Sequence, residues 1–114
     1  MQEEARVFLD QTQRDGVTLI ELRGRADIYS SNALRQSLLE IIDSGKIDLI
    51  IDLDGLDHID SSGLAALVWV FEKTSLSGGS LKFVCSKAPV LNALTASGFN
   101  RAIPIHNRVE EYFN

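Results

Sequence analysis

The segment IDLIIDL, residues 47–53, constrains the fold more than any other part of the chain. Ile47, Leu49, Ile51 and Leu53 fall on one side of an extended backbone, and Asp48, Ile50 and Asp52 on the other. A strand explains that alternation and an amphipathic helix does not. The pattern then changes. Residues 54–60 read as a loop rich in Asp, and Asp60-Ser61-Ser62-Gly63 opens an unbroken run of eight apolar residues, 64–71. That run is the start of a helix from about Ser62 to Leu76, stopped by Gly78-Gly79. A strand leading through a short loop into a helix is the unit of an α/β domain.

The rest of the chain repeats the alternation of strand and helix. Residues 5–10 and 17–23 are short apolar stretches, and Asp15-Gly16 between them supplies turn chemistry, so the chain opens with a β-hairpin closed off by Gly24. Leu34, Leu38, Ile41 and Ile42 recur at helical spacing within 30–43, with Ser30, Ser31 and Asn32 as candidate caps. Residues 80–85 form a strand, and 87–97 a helix with Pro89 in its first turn, where a missing N–H does no harm. Residues 103–105 make a short last strand, and 108–113 a last helical turn or two. The expected order is β-β-α-β-α-β-α-β-α: one α/β domain over residues 1–114, with a mixed sheet opened by the hairpin.

Composition narrows the function. With 45% hydrophobic and 24% charged residues, a chain of 114 residues can bury a core without staples. A net charge of −5, with seven Arg and four Lys scattered along the chain, excludes nucleic acid as a partner. Cys85 is alone, so there is no intramolecular disulfide and no thiolate cluster for zinc. The acidic N-terminus lacks the basic and apolar regions of a signal peptide, and no apolar run approaches the ~20 residues that cross a bilayer. A soluble, cytoplasmic protein without membrane insertion is expected.

Ser61 and Ser62 could cap the helix, attack a substrate, or accept a group. An activated serine nucleophile needs a base in reach and a group to orient that base. G-x-S-x-G is absent; His58 lies close to Ser61 in sequence, but a tight loop seldom points both side chains at one substrate, and nothing places His106 near the serines. Asp52, Asp54, Asp57 and Asp60 lack the ladder of a calcium loop and read as a solvated acidic edge. No phosphate-cradling glycine motif is present. Neither a metal, a cofactor nor an enzymatic activity is therefore expected. Any of Asp60, Ser61 and Ser62 can serve as N-cap, and capping leaves at least one hydroxyl free near the surface. A phosphate on it would sit at a helix start, where free N–H groups and a partial positive charge tolerate an anion. It would add roughly −1.5 to −2 charge units to a surface patch without unfolding anything.

The same helix suits a binding surface. Leu64, Leu67, Val68 and Phe71 form one stripe for the sheet, with Ala65, Trp69 and Val70 partly off it. Either this chain covers the helix on both faces or part of it, Trp69 included, meets a partner.

The segment IDLIIDLDGLDHIDSSGLAALVWVFEK resembles the central motif of STAS domains, and in particular the bacterial anti-sigma factor antagonists. The likeness runs through Leu53, Leu56, Ile59, Asp60, Ser61, Ser62, Gly63 and Leu64. Gly24 and Asp27 fall on the G-x-[LI]-D signature of that family, and GGSLKFV and VLNALTASGF match its later strand and helix. Ala26 stands where a larger aliphatic is usual, and Trp69 where smaller residues are common. The resemblance implies partner switching: the unphosphorylated chain binds an anti-sigma factor serine kinase and so frees a sigma factor. Phosphorylation of Ser61 weakens that binding, and a serine phosphatase acting on the phosphoserine reverses it. Asp27, Asp60, Ser61, Ser62, Gly63 and Trp69 would form the partner-binding surface, with Asp60 holding the loop or aiding transfer. The alternative is a non-switching STAS accessory or scaffold subunit, for example of a lipid-transport complex.

Overall fold

The computed structural model of the chain describes residues 6–113. The expected start of the first strand at Ala5, like the rest of the N-terminal five residues, lies outside them. Strands β1 (Val7–Arg14), β2 (Val17–Ala26), β3 (Asp48–Ile59), β4 (Ser80–Val84) and β5 (Ile105–His106) lie in sequence order in one sheet. β1 and β2 are antiparallel and the remaining neighbours parallel. Helices α1 (Ser31–Asp43), α2 (Ser61–Leu76) and α3 (Ala88–Ala96) make the crossovers, as the alternation of elements predicts.

The hairpin turns on Asp15 and Gly16 with φ of 53° and 81°. Positive φ at both central residues fits the twist of the flanking strands, and glycine reaches it without a Cβ penalty. β1 runs four residues past the expected end at residue 10. Residues 11–14 are polar and exposed and are held by main-chain pairing to residues 17–20, so no hydrophobic period betrays them.

β3 departs most from expectation. It continues through the supposed loop as far as Ile59, beside a β2 that extends past Gly24 to Ala26. Register shifts between Glu21 and Arg23 and between Gly24 and Arg25 each place an extra β3 residue opposite β2. Each irregularity resets which side chains face the core. Leu53 and Leu56 are therefore both buried although three residues apart, and the simple alternation vanishes from the sequence.

Ile20 and Leu22 of β2, Leu49, Ile51 and Leu53 of β3, and Leu81 and Phe83 of β4 face one way. They form a single core with Leu34, Leu38 and Ile41 of α1, Ala66, Leu67 and Val70 of α2, and Val90 and Leu94 of α3. The helices thus cover one face of the sheet. The stripe of α2 is rotated from the expected one: Leu67 is buried and Leu64 and Phe71 pack partly buried on the core, but Gly63, Ala66, Val70 and Thr74 are buried as well and Val68 is 43% exposed. A helix that is apolar all round gives periodicity no face to select. Its rotation is set instead by the close approach of Gly63 to Ala26.

At the C-terminal end, Ile103 is a buried loop residue and β5 follows at Ile105–His106. The expected last helix is a single 3-10 turn, Val109–Tyr112. Tyr112 ties it down by donating its hydroxyl to the Phe83 carbonyl at 2.6 Å. No helix among the described residues is long and apolar enough to cross a membrane.

Candidate functional site

β2 and β3 run parallel and end in register, Ala26 opposite Ile59. Asp27 and Asp60, the next residues of each strand, therefore leave the sheet side by side at its carboxyl edge, where open α/β sheets carry their sites. The Asp60 N–H donates to the Ala26 carbonyl at 3.1 Å and joins the two strand ends.

Of the three candidate caps, Asp60 is the one used. It sits in the extended region with φ −118°, and its Oδ1 accepts from Ser62 N at 2.9 Å and Gly63 N at 3.2 Å. Its carbonyl accepts from Leu64 N at 2.9 Å. The free amides expected to tolerate an anion are thus partly taken by the cap. Ser61, the first helical residue, is exposed; Ser62 is half-buried. Neither hydroxyl makes a hydrogen bond among the described residues, and neither histidine bonds to them. His58 lies on β3, and His106 pairs through Nδ1 with Glu111 Oε1 at 3.2 Å and stacks on Tyr112. That arrangement offers no serine–histidine relay.

Gly63 sets the height of α2 above the sheet. A Cβ there would lie 2.8 Å from Ala26 Cβ and 2.8 Å from Ile59 Cγ1, and closer still to the Ala26 carbonyl oxygen. The small Ala26 is the other half of that contact: it is 1% exposed, against the first turn of α2. The departure from a larger aliphatic at this position is accommodated by close backbone approach.

Asp27 is 5% exposed and anchors the turn that follows it. Its Oδ1 accepts from Tyr29 N at 3.0 Å and Ser30 N at 3.2 Å, and its Oδ2 lies 3.5 Å from Arg25 Nε. Buried Ser30 closes the turn, donating to the Arg25 carbonyl at 2.6 Å and accepting from Asp27 N at 3.0 Å. Burial pushes the Asp27 carboxyl up, but the hydrogen bonds from Tyr29 and Ser30 and the Arg25 guanidinium together outweigh it and hold the group below its ordinary value. Asp27 is therefore a fixed negative charge beside the start of α2.

The turn carries the two residues that sequence reasoning missed. Ile28 is 67% and Tyr29 80% exposed, although both are large and at least partly apolar. The one signal for them was the pair itself, two bulky residues between an Asp and a Ser that fold the backbone around them. Trp69, eight residues beyond Ser61, is half-buried against the core with Lys73 Nζ 5.4 Å from its ring centroid, so only part of it faces outward. Ser61, Ala65, Val68, Glu72 and Leu76 share the exposed side of α2.

The other acids hold the fold together. Asp54 accepts from Ser86 N at 2.6 Å and from Ser86 Oγ at 2.9 Å, tying β3 to the entrance of α3. Asp52 accepts from Asp54 N at 3.0 Å; burial, then the charges of Asp54 and Glu21, push its carboxyl up. Asp57 is exposed, and no group of metal-ligating side chains occurs among the described residues. Burial, aided by the charge of Asp54, pushes the Cys85 thiol up to about 11, so it is no nucleophile at neutral pH.

The profile of the STAS domain matches residues 9–112. The chain is 28% identical over 104 residues to the anti-sigma-B factor antagonist of Bacillus subtilis, covering 91% of this chain and 94% of that one. Among solved structures, an anti-sigma factor antagonist from Mycobacterium paratuberculosis superposes with a TM-score of 0.84 at 21% identity, over 92% of this chain and 89% of that one. The Bacillus cell fate determinant SpoIIAA, solved in its phosphorylated form, superposes with a TM-score of 0.71 at 17% identity, over 93% and 96%. The profile covers nearly all of the described fold, and the chain belongs to the STAS domain family.

Proposed function

We propose that the chain is an anti-sigma factor antagonist that works by partner switching in the cytoplasm. Unmodified, it binds an anti-sigma factor that is also a serine kinase. Transfer of a phosphoryl group from ATP to Ser61 Oγ releases it, and a serine phosphatase hydrolyses the phosphoserine and restores binding. The chain acts as a switchable ligand, without cofactor or catalysis of its own. Asp27, Asp60, Ser61, Ser62 and Gly63 form the centre of the docking face, and the open part of Trp69 its margin.

One observation carries this reading: Ser61 is exposed with its hydroxyl unbonded, because Asp60 does the capping. A phosphate there adds roughly −1.5 to −2 charge units close to the carboxylates of Asp60 and Asp27. A partner surface that accommodates the neutral hydroxyl then meets concentrated negative charge, at the cost of desolvating it. The Bacillus subtilis relative is named for antagonism of an anti-sigma factor, and SpoIIAA has been solved with its phosphate in the same fold.

The test is incubation with the purified anti-sigma serine kinases of the source cell and ATP, followed by peptide mapping. Phosphate on Ser61 is expected; an unmodified Ser61 with every kinase refutes the reading. Ser61→Asp should weaken kinase binding tenfold or more and Ser61→Ala should preserve it. The scaffold alternative draws on the exposed apolar residues of α2, Val68 and Leu76. It requires equal affinities for the two variants.

A further inference from the structure

We propose that Ile28 and Tyr29 are the apolar anchor by which the chain docks on its kinase, with the Tyr29 ring seated in an apolar pocket rimmed by basic groups. This rests on the partner-switching reading and adds to it a contact that the phosphate does not touch.

Single exposed apolar side chains are ordinary on protein surfaces, so exposure alone carries nothing. What distinguishes this pair is position and rigidity. Asp27, immediately before it, emerges beside Asp60 across the Ala26–Ile59 register, so the pair borders the start of α2. The backbone beneath it is fixed at Tyr29 N and Ser30 N by Asp27 and at both ends by the buried Ser30 hydroxyl. A turn already held in one conformation loses little backbone entropy when its side chains are immobilised by a partner. Tyr is also among the residues that dominate binding energies, combining a large apolar ring with a hydrogen-bonding tip.

The other exposed large apolar groups differ. Phe8 lies under the Arg23 guanidinium, 5.4 Å from its ring centroid. Val68 lines a shallow cleft with Phe71 and Phe99. Leu76 ends α2, fifteen residues from Ser61 and so roughly 22 Å along the helix. Basic groups around the pocket match the charge of this face: the chain carries −5, and Asp27, exposed Asp57 and Asp60 lie at the adjoining strand ends against Arg25, which is paired to Asp27. The anchor supplies affinity in either state of Ser61. Phosphorylation removes only the electrostatic part, so switching is graded rather than absolute.

The experiment titrates each purified anti-sigma serine kinase of the source cell with the full chain and its variants. Tyr29→Ala should weaken binding at least tenfold and Ile28→Ala several-fold, with unchanged thermal midpoints because both sites are exposed. Phosphorylation of Tyr29→Ala should show a raised KM and an unchanged kcat. Leu76→Ala, an equally exposed truncation far from Ser61, should bind as the parent does. If Ser61→Asp weakens binding but Tyr29→Ala stays within twofold of the parent, the anchor is wrong and partner switching stands. If Leu76→Ala weakens binding as much as Tyr29→Ala, the effect is general stickiness and the anchor is again wrong. If the unmodified chain binds none of the kinases, partner switching and the anchor fall together.

Discussion

Gly63→Ala separates two opposite expectations with one measurement. In an open helix, replacing glycine by alanine stabilises by about 0.5–1 kcal/mol, because less backbone entropy is lost on folding. Here the new methyl would lie 2.8 Å from both Ala26 Cβ and Ile59 Cγ1 and would press on the Ala26 carbonyl. Two of those contacts belong to backbone or to a side chain with no rotamer to change, so α2 itself must move. Forcing a methyl into a packed site costs roughly 1–3 kcal/mol. Set against the entropic gain, a net loss of about 1–2 kcal/mol remains, or a midpoint lower by roughly 4 °C or more per kcal/mol for a domain of this size. Urea denaturation monitored through Trp69 fluorescence should show the loss as a lower midpoint at unchanged slope. Because the Ala26 carbonyl also accepts from Asp60 N, the displaced helix should carry Ser61 with it and lower kinase affinity. A variant more stable than the parent would refute the close packing of α2 on β2 and the coupling of the two strand ends built on it.

Substitutions at two further positions test the electrostatics. Asp60→Ala removes the acceptor of two amide hydrogen bonds and should cost about 1 kcal/mol, and no more than about 2, in urea denaturation; Asp60→Asn, which also caps, should cost much less. Asp52 has a folded-state pKa raised above 3.8, so its charged form is disfavoured by folding. That penalty is absent below the unfolded value, where both states are protonated, and grows as pH rises through the folded value. Asp52→Asn should therefore raise the thermal midpoint at pH 7 and lose that gain near pH 3; a gain independent of pH would assign the effect to packing instead.

Those parts of the fold that rest on hydrophobic period were legible in the sequence, and those that rest on main-chain pairing were not. Leu49, Ile51 and Leu53 announced β3, and Leu34, Leu38 and Ile41 announced α1, because each set repeats with the period of its element and is buried as a set. The polar second half of β1 gave no such signal, since its residues contribute edge hydrogen bonds and no core surface. The outer half of β3 was hidden by two register shifts, which break the alternation that identifies a strand. In α2 the apolar run predicts the helix and most of its buried stripe, but not that Val68 turns outward and Val70 inward, because tertiary contacts such as that between Gly63 and Ala26 set its rotation. At the site, Asp27, Asp60 and the serines stood out by residue type and motif. Which acid caps was decided by the extended backbone at Asp60. Ile28 and Tyr29 stayed invisible because apolar residues in a sequence suggest a core until a structure turns them outward.

The Asp60 carboxylate already occupies the first amides of α2. With those two amides taken and Ser61 exposed, a phosphate on Ser61, under the partner-switching proposal, would project outward into water. Under that proposal the chemical mark would be displayed like a flag, legible to an eraser as readily as to a writer, and neither would have to pry the molecule open to find it.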